Sequence, residues 1–361
     1  MDRRLKMNKP VIIVGAGISG IYTASLLSAK GIKCKVIESR DRIGGRILTE
    51  EAAGAKFDLG PTWFWPQHEP RITALVKKLG LKTFTQHTAG DLLFEQYADH
   101  PAQHHTLPAH AVERSERIEG GIYSLIESIA ETLPVETIKL KTQVTAIKMN
   151  AHHEMTVNVL NDDGEDRTLE ASSVVLALPP RLTKRISFEP ELQELSDLPT
   201  WMAGQAKMIA VYDRPFWREK NLSGQAMSWT GPLQEIHDAS PIKGPGALFG
   251  FFSLTAKQRR EMGEEKVKKL ALEQLIRLYG SEAEQPVAIL YKDWSADADT
   301  ATVEDALPLT DFPQYHPLEI TGEWQDNLVF AGTETSSDSG GHLEGAIRSA
   351  ERAVRIILER N

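Results

Sequence analysis

Val11-Ile12-Ile13-Val14 is an unbroken apolar run, the pattern of a strand buried on both faces of a parallel sheet. Residues 18–30 read as a helix that stops before Gly31, and 33–38 read as the next strand, so the chain opens on a β-α-β unit. Residues 41–46 form a loop. Residues 54–68, rich in Gly, Pro and aromatics, read as irregular chain close to something bound. A helix is predicted over 70–79, whereas 85–118 shows no clear period. An amphipathic helix over 120–132 precedes strands at 137–149, 154–160 and, beyond the Asn161–Gly164 turn, 167–170. Residues 173–178 read as another buried strand, stopped by Pro179-Pro180. Further on, strands are predicted at 204–212, 246–252 and 286–294, with one long charged helix over 256–279. Residues 295–326 are loop-rich, 327–331 form a last buried strand, and 342–359 a closing helix. No internal repeat, low-complexity tract or flexible linker interrupts this order.

Composition narrows the class. The 361 residues are 41% hydrophobic and 25% charged, soluble globular proportions with room for two domains. A net charge of -9 repels polyanions, so nucleic acid is not an expected partner. The single cysteine, Cys34, rules out an intrachain disulfide and a Cys-based metal site, and reads as a small buried strand residue. Histidines gather at His87, His100, His104, His105 and His110, but none forms a helical i, i+4 pair with an acidic partner, so no metal is expected. The basic start, Met1 to Lys9, before the uncharged run Val11–Ala29 looks like a leader or membrane anchor. Three features oppose that: glycines at functional spacing, four hydroxyl residues in the run, and a following strand that ends in an acid. The expectation is a cytoplasmic protein without an integral membrane segment.

The candidate chemistry begins in that first unit. Gly15-Ala16-Gly17-Ile18-Ser19-Gly20 is a G-x-G-x-x-G turn between a strand and a helix, and Glu38 stands 18 residues beyond Gly20 at the end of the second strand. Gly15 permits the tight turn, Gly17 lets backbone approach a pyrophosphate, and Gly20 lets helix and strand pack closely. The helix start offers unpaired N–H groups and partial positive charge to phosphate. Glu38 can accept from ribose hydroxyls and disfavours a 2′-phosphate. The turn predicts a dinucleotide without saying which.

The residues that follow resemble one group. Glu38-Ser39-Arg40-Asp41-Arg42-Ile43-Gly44-Gly45-Arg46 resembles the segment after the second strand in the flavin amine oxidase superfamily, which includes monoamine, polyamine and L-amino acid oxidases and desaturase relatives. The likeness continues in Asp58-Leu59-Gly60-Pro61-Thr62-Trp63, in Thr142 to Ile147, in Val174 to Pro180, and in Phe330 to Thr335 followed by Gly341 to Ala346. It implies non-covalent FAD on a Rossmann-like, doubly wound parallel sheet, with a discontinuous α+β substrate domain. It also implies that Ser39, Arg40 and Gly45 lie along the cofactor and that Arg46 meets the pyrophosphate. Gly60, Pro61 and Thr62 would lie beneath the isoalloxazine ring, although the family more often has glycine where Pro61 stands. Val144 would pair with adenine through its backbone, Gly332 and Glu334 would meet the ribityl–phosphate region, and the helix start at Leu343 would face flavin O2.

At the reacting end, Lys207 stands eight residues before Pro215-Phe216-Trp217, a spacing that resembles the family lysine that holds a water against flavin N5. The resemblance implies a role in reoxidation by oxygen or in substrate deprotonation. Trp294 resembles the tryptophan packed beside the flavin. The chain then departs from the monoamine oxidases. No cysteine follows Trp294 through Asp305, and the amine-binding aromatic pair is reduced to His342 on one wall with Val303 near the other. Trp63 and Trp65 are candidate replacement walls. The expected division is a cofactor domain from 1–66, 117–184 and 296–361, and a substrate domain from 67–116 and 185–295. The expected reaction is oxidation of a small-molecule amine with molecular oxygen as acceptor. The alternatives are a desaturase or dehydrogenase acting on a non-amine, and a non-catalytic FAD-binding interaction protein.

Overall fold

The structure is a computed structural model that describes residues 9–108, 111–193, 197–309 and 311–360. Met1 to Asn8 and His110, both considered above, lie outside the described residues. The first half of the chain runs β1 (Val11–Val14), α1 (Ile18–Ala29), β2 (Cys34–Ile37), β3 (Thr49–Ala52), β4 (Ala55–Asp58), α2 (Pro70–Lys78), β5 (Thr83–Thr85), β6 (Asp91–Glu95), β7 (Gln103–His105), β8 (Glu116–Ile118) and α3 (Tyr123–Ala130). Then come β9 (Ile138–Lys139), β10 (Thr142–Met149), β11 (Met155–Asn161), β12 (Asp166–Ala171), β13 (Ser173–Leu176), β14 (Ser187–Glu189), β15 (Ala206–Tyr212) and α4 (Phe216–Glu219). The last part comprises β16 (Leu222–Ser228), β17 (Leu233–Asp238), β18 (Gly246–Phe252), α5 (Ala256–Met262), α6 (Glu264–Tyr279), β19 (Ala288–Asp293), β20 (Leu328–Phe330) and α7 (Leu343–Arg360).

The opening apolar run becomes the middle of a parallel sheet ordered β20-β13-β1-β2-β9. Side chains alternate across a strand, so Val11 and Ile13 face one core while Ile12 and Val14 face another. The first core is closed by α1, α2, α3 and α7, through residues such as Ile21, Leu75, Ile126 and Ile347. The second is closed by a sheet ordered β12-β11-β10-β14 through Val144, Ile147, Val157 and Val159. The chain leaves β1 for β2 on one side and returns at β13 on the other. That reversal of direction opens a crevice beyond the carboxyl ends of the strands, where ligands of such sheets bind.

A seven-stranded sheet ordered β19-β15-β18-β17-β16-β6-β7 forms the other large layer. Ala206, Met208 and Ala210 of β15 pack toward a core shared with Val267, Ala271 and Leu275 of α6. Residues of opposite parity, Ile209 and Val211, face Phe57, Leu59 and Phe249. Lys207 has that second parity, so β15 turns it toward the β3–β4 hairpin and the loop beyond.

Several sequence expectations need correction. The helix expected over 256–279 is two helices, broken at Gly263 with φ of +79°. The strand expected over 137–149 is likewise two, separated at Lys141 with φ of +52°. The aperiodic stretch 85–118 contains β6, β7 and β8, and β3, β4, β16 and β17 were not anticipated. The Val11–Ala29 run is folded as β1 and α1 at the centre of the sheet. Among the described residues, no helix is long and apolar enough to cross a membrane, and no group of three or more His, Cys, Asp and Glu could hold a metal ion.

Gly20 has a specific steric duty. A Cβ there would lie 1.9 Å from the Gly15 carbonyl oxygen and 3.3 Å from Ala177 Cβ. Gly20→Ala must therefore push α1 off the β1 turn, a strain of about 1–3 kcal/mol or more. The expected result is a folded chain whose thermal unfolding midpoint lies several degrees below that of wild type, read by circular dichroism. An unchanged midpoint would contradict it.

Candidate active site

A single cavity of about 420 Å³ lies in the crevice and extends from the β1 turn to β15. At one end it is lined by Gly15, Gly17, Ile18 and Ser19, by Glu38, Ser39 and Arg40, and by Val144. Its middle is lined by Gly45, Arg46, Gly332 and Glu334, and its far end by Gly60, Pro61, Thr62, Trp63, Lys207, Trp294, His342 and Leu343. Of the residues singled out from sequence, Gly20 is outside this lining, because it faces the Gly15 turn. Val303 is also outside it and is 88% exposed. Arg42 is spent on the carbonyl oxygens of Ile43, Gly45 and Ile47, and staples its own loop.

The dinucleotide end is built from backbone. α1 begins at Gly17 with no side-chain cap, so its first amides are left for something else to satisfy. A Cβ on Gly17 would meet nothing within 4 Å, whereas one on Gly15 would lie 2.6 Å from Ala177 O. The first glycine serves close packing, and the second bares backbone to the cavity. Glu38 is buried and accepts from Ala16 N at 2.7 Å and Arg40 N at 3.0 Å. Its carboxylate is thereby fixed at the cavity edge. A second helix start, that of α7, opens on the other end through Gly341, His342 and Leu343. Ser19 joins the two helices, since its hydroxyl lies 3.0 Å from Ser349 Oγ and accepts from Gly332 N at 3.0 Å. Two positive helix ends, a baring glycine and a fixed carboxylate suit a group with a diphosphate in its middle, a ribose at one end and a ring that gains negative charge at the other. The residues present fit FAD.

Two of the cationic candidates have partners within the chain. Arg40 donates to Asp297 Oδ1 at 2.6 Å and to Thr300 Oγ1 at 2.8 Å. Arg46 makes a two-pronged ion pair with Glu334, at 2.6 and 3.0 Å, and donates to Trp201 O at 2.9 Å. Glu334 is wholly buried, and the Arg46 side chain is 24% exposed.

The reacting end is aromatic. Trp294 donates from Nε1 to Leu59 O at 3.1 Å. Trp63 packs on Phe249 and His237, with ring centres 5.5 and 5.0 Å apart. Lys207 is buried, with Nζ donating to Gly60 O at 3.1 Å and lying 2.5 Å from Thr62 Oγ1. The same nitrogen sits 4.0 Å from the Phe249 ring centre. Burial pushes the Lys207 ammonium down to about 7; Asp58 opposes that shift and Arg117 adds to it. His342 reaches Glu69 with Nδ1 3.2 Å from Oε1, and its ring lies 5.8 Å from that of Trp65. Glu69 is itself buried and accepts from Trp65 N at 2.8 Å.

Sequence reading missed Glu69, Trp201, Met202, Gln205 and Phe251, which also line the cavity. Glu69 carried one legible sign: an acid just before Pro70 marks a helix start. Nothing in the sequence signals Trp201, which reaches the cavity from a turn and abuts Gly341, where a Cβ would lie 2.8 Å from the indole.

The sequence profile of the family described as flavin containing amine oxidoreductase matches residues 102–358, and that of an NAD(P)-binding Rossmann-like domain matches residues 13–79. Putrescine oxidase of Kocuria rosea is 26% identical, aligned over 98% of this chain and 95% of its own. That alignment spans 460 positions against 361 residues here, so the relative carries insertions that this chain lacks. Human amine oxidase [flavin-containing] B is 25% identical over 96% of this chain and 86% of its own. Among solved structures, putrescine oxidase bound to putrescine superposes with a TM-score of 0.80 at 24% identity, covering 97% of this chain and 99% of that one. Cyclohexylamine oxidase from Brevibacterium oxydans gives 0.80 at 21% identity, with the same coverage. At such identities the structural likeness speaks for the fold.

Proposed function

From the premise that the chain belongs to the flavin containing amine oxidoreductase family, and is thus an FAD-dependent oxidoreductase acting on amines, we propose how its residues divide the work. When bound, FAD would supply an acceptor for a hydride from the carbon beside the amine nitrogen and a route for those electrons to dioxygen, which would give hydrogen peroxide. The imine product then hydrolyses. Gly15, Gly17, Ile18 and Ser19 would hold the diphosphate, with Arg46 beside it. Glu38, Ser39, Arg40 and Val144 would hold the adenosine, and Gly45, Gly332 and Glu334 would fix the chain around the linker. Gly60, Pro61, Thr62 and Leu343 would bound the ring. Binding is non-covalent: the one cysteine, Cys34, lies on β2 with Sγ 3.7 Å from Ala24 O, and no thiol follows Trp294.

The observation that carries this reading is continuity: one cavity joins the glycine turn and Glu38 to Lys207. In that frame Lys207 acts at the reacting centre as a proton acceptor, held by Gly60 and Thr62. Trp63, Trp65 and His342 wall the substrate side, Trp294 backs the ring, and Glu69 orients His342. The substrate would be a small primary or secondary amine with an apolar tail, as aromatic walls with few polar groups demand. The family match favours neither the desaturase nor the non-catalytic alternative.

The same reading divides the chain into a cofactor domain of 1–66, 117–184 and 296–361 and a substrate domain of 67–116 and 185–295. α2 and β14 are two of the places where the second body leans on the first, through Leu75 and through pairing of β14 with β10, and β15 is another, through Ile209 and Val211 against Phe57 and Leu59. A cytoplasmic location belongs to it as well. Its support is the folding of Val11–Ala29 into β1 and α1, where a cleaved leader could not serve.

Anaerobic mixing with a panel of primary, secondary and amino-acid amines is the test. At least one amine should bleach the oxidised flavin band. Failure of every amine to do so would count heavily against the reading.

A further inference from the structure

Glu69 is a carboxylate with one oxygen to spare. It stands at the start of α2, is buried, and accepts from Trp65 N at 2.8 Å through Oε2. Its Oε1 lies 3.2 Å from His342 Nδ1. Among the described residues no lysine or arginine pairs with it, so the imidazole is its counter-group. The His342 ring lies 5.8 Å from that of Trp65 and is tilted to it by 30°, so Trp65 braces both members of the pair. The other charges around this unit are matched. Glu344 of α7 takes Arg348 at 2.8 Å and the backbone N–H groups of Arg71 and Ile72. Arg71 reaches Glu351 at 3.3 Å, and Glu334 takes Arg46.

A carboxylate accepts and cannot donate, so it favours the imidazole tautomer with its proton on Nδ1. Nε2 is then a bare acceptor, and among the described residues it has no hydrogen-bond partner. His342 lines the reacting end of the cavity while its side chain is 39% exposed, so it touches cavity and solvent together. Lys207 differs on that point: it is 2% exposed, with Nζ held by Gly60 O and Thr62 Oγ1.

The reaction needs a base with a way out to water. Alkylamines, like lysine, are ammonium ions at neutral pH. An ammonium has no lone pair to drive hydride off the adjacent carbon, so its proton must leave first. We propose that His342 is the base that takes it: Nε2 accepts the ammonium proton, the free amine stays in the cavity, and the imidazolium, stabilised by Glu69, hands the proton to solvent. Glu69 is the positioning residue that keeps Nε2 bare. The aromatic walls assist, because a desolvated ammonium gives up its proton more readily. The inference rests on the amine reading above and adds a division of labour, with His342 serving flavin reduction and Lys207 the reaction with dioxygen.

Two measurements test it. In the flavin-loaded enzyme with 15N-labelled histidine, proton–nitrogen correlation NMR at pH about 9, where imidazoles are ordinarily neutral, reads which nitrogen carries the proton. The His342 signals are those lost in His342→Phe. The proton is expected on Nδ1. In Glu69→Gln the amide oxygen stays with Trp65 N and the NH2 group faces Nδ1, so the proton should move to Nε2. A wild-type proton on Nε2, or a tautomer indifferent to Glu69→Gln, overturns the inference. The second measurement is anaerobic stopped-flow mixing of a bleaching amine with His342→Phe, which keeps a ring against Trp65. Flavin reduction should be slowed by roughly 10²-fold at pH about 7, and the deficit should close toward pH about 10.5, where the amine arrives without its proton. His342→Gln covers the case where His342→Phe does not fold. Reduction as fast as wild type in the folded variant overturns the inference, as does a deficit equal at both pH values, since a ring that only packs does not lose importance as the amine loses its proton. If no amine bleaches the wild-type flavin, the amine reading falls and takes this inference with it. Bleaching with a failed tautomer or pH result sinks this inference alone.

Discussion

Lys207→Met is expected to slow flavin reoxidation by dioxygen by roughly 10²–10⁴-fold, the range for losing a positioned proton-transfer group, while FAD stays bound. The argument is positional. Lys207 is the buried amine at the ring end of the cavity, fixed by Gly60 O and Thr62 Oγ1, and methionine fills similar volume without a proton to move. The diphosphate grip at Gly15 to Ser19 lies at the other end, so cofactor content should hold. Stopped-flow mixing of the reduced variant with oxygenated buffer reads the rate directly, and a change below about threefold would remove Lys207 from the reaction. The same variant has a stability signature whose sign can be worked out. The folded Lys207 titrates near 7 against 10.5 in a free lysine. Above 10.5 both states hold a neutral amine and nothing is lost. Between 10.5 and 7 only the unfolded chain takes the proton, so wild-type stability falls as pH falls, and below about 7 the penalty is complete. Lys207→Met removes that penalty. Its melting temperature should gain most on wild type below pH 7 and lose the advantage above pH 10.5, which thermal melts across that window would show.

The cofactor end was legible in the sequence because its physics is local. Gly15, Gly17 and Gly20 are read from one short turn, and the clash at Gly20 is with Gly15, five residues away. The strands of the parallel sheet are legible for a related reason. Val11–Val14, Ser173–Leu176 and Leu328–Phe330 are buried at every position, so each is an apolar run whatever its neighbours are. The seven-stranded sheet gave weaker signals. β16 and β17 read Leu-Ser-Gly-Gln-Ala-Met-Ser and Leu-Gln-Glu-Ile-His-Asp, and their burial comes from α6 and from each other rather than from their own period. The break at Gly263 was readable and was overridden by charged helical sequence on both sides. Thr255 and Gln258 form a capping box for α5, and Glu264-Glu265 mark the start of α6. The site's pairings were not readable. Arg46 and Glu334 are 288 residues apart, and His342 meets Glu69 across most of the chain. Each residue could be nominated by a motif, but a motif cannot say which nominated charge will satisfy another.

The pair of Arg46 and Glu334 sets the second large expectation: Glu334→Ala should cost about 3–5 kcal/mol of stability, the range for stripping one partner from a buried ion pair. Glu334 is wholly buried and ties three segments together. It takes both prongs of Arg46 from the β2–β3 loop, and it accepts from Trp201 N at 3.1 Å in the turn before β15. Its removal leaves the guanidinium with Trp201 O as its remaining bond among the described residues. Two further measurements separate a charge effect from a packing effect. Arg46→Met combined with Glu334→Ala should recover part of the loss, since no unpaired cation remains, and the shortfall from additivity measures the coupling. Added FAD should also stabilise Glu334→Ala more than wild type, because a diphosphate can serve as the missing anion for Arg46. If the double variant is as unstable as the sum of the two single ones, Arg46 and Glu334 are not an energetic unit. The contact between them would then be packing, and the grip on the diphosphate would have to be sought in the helix starts alone.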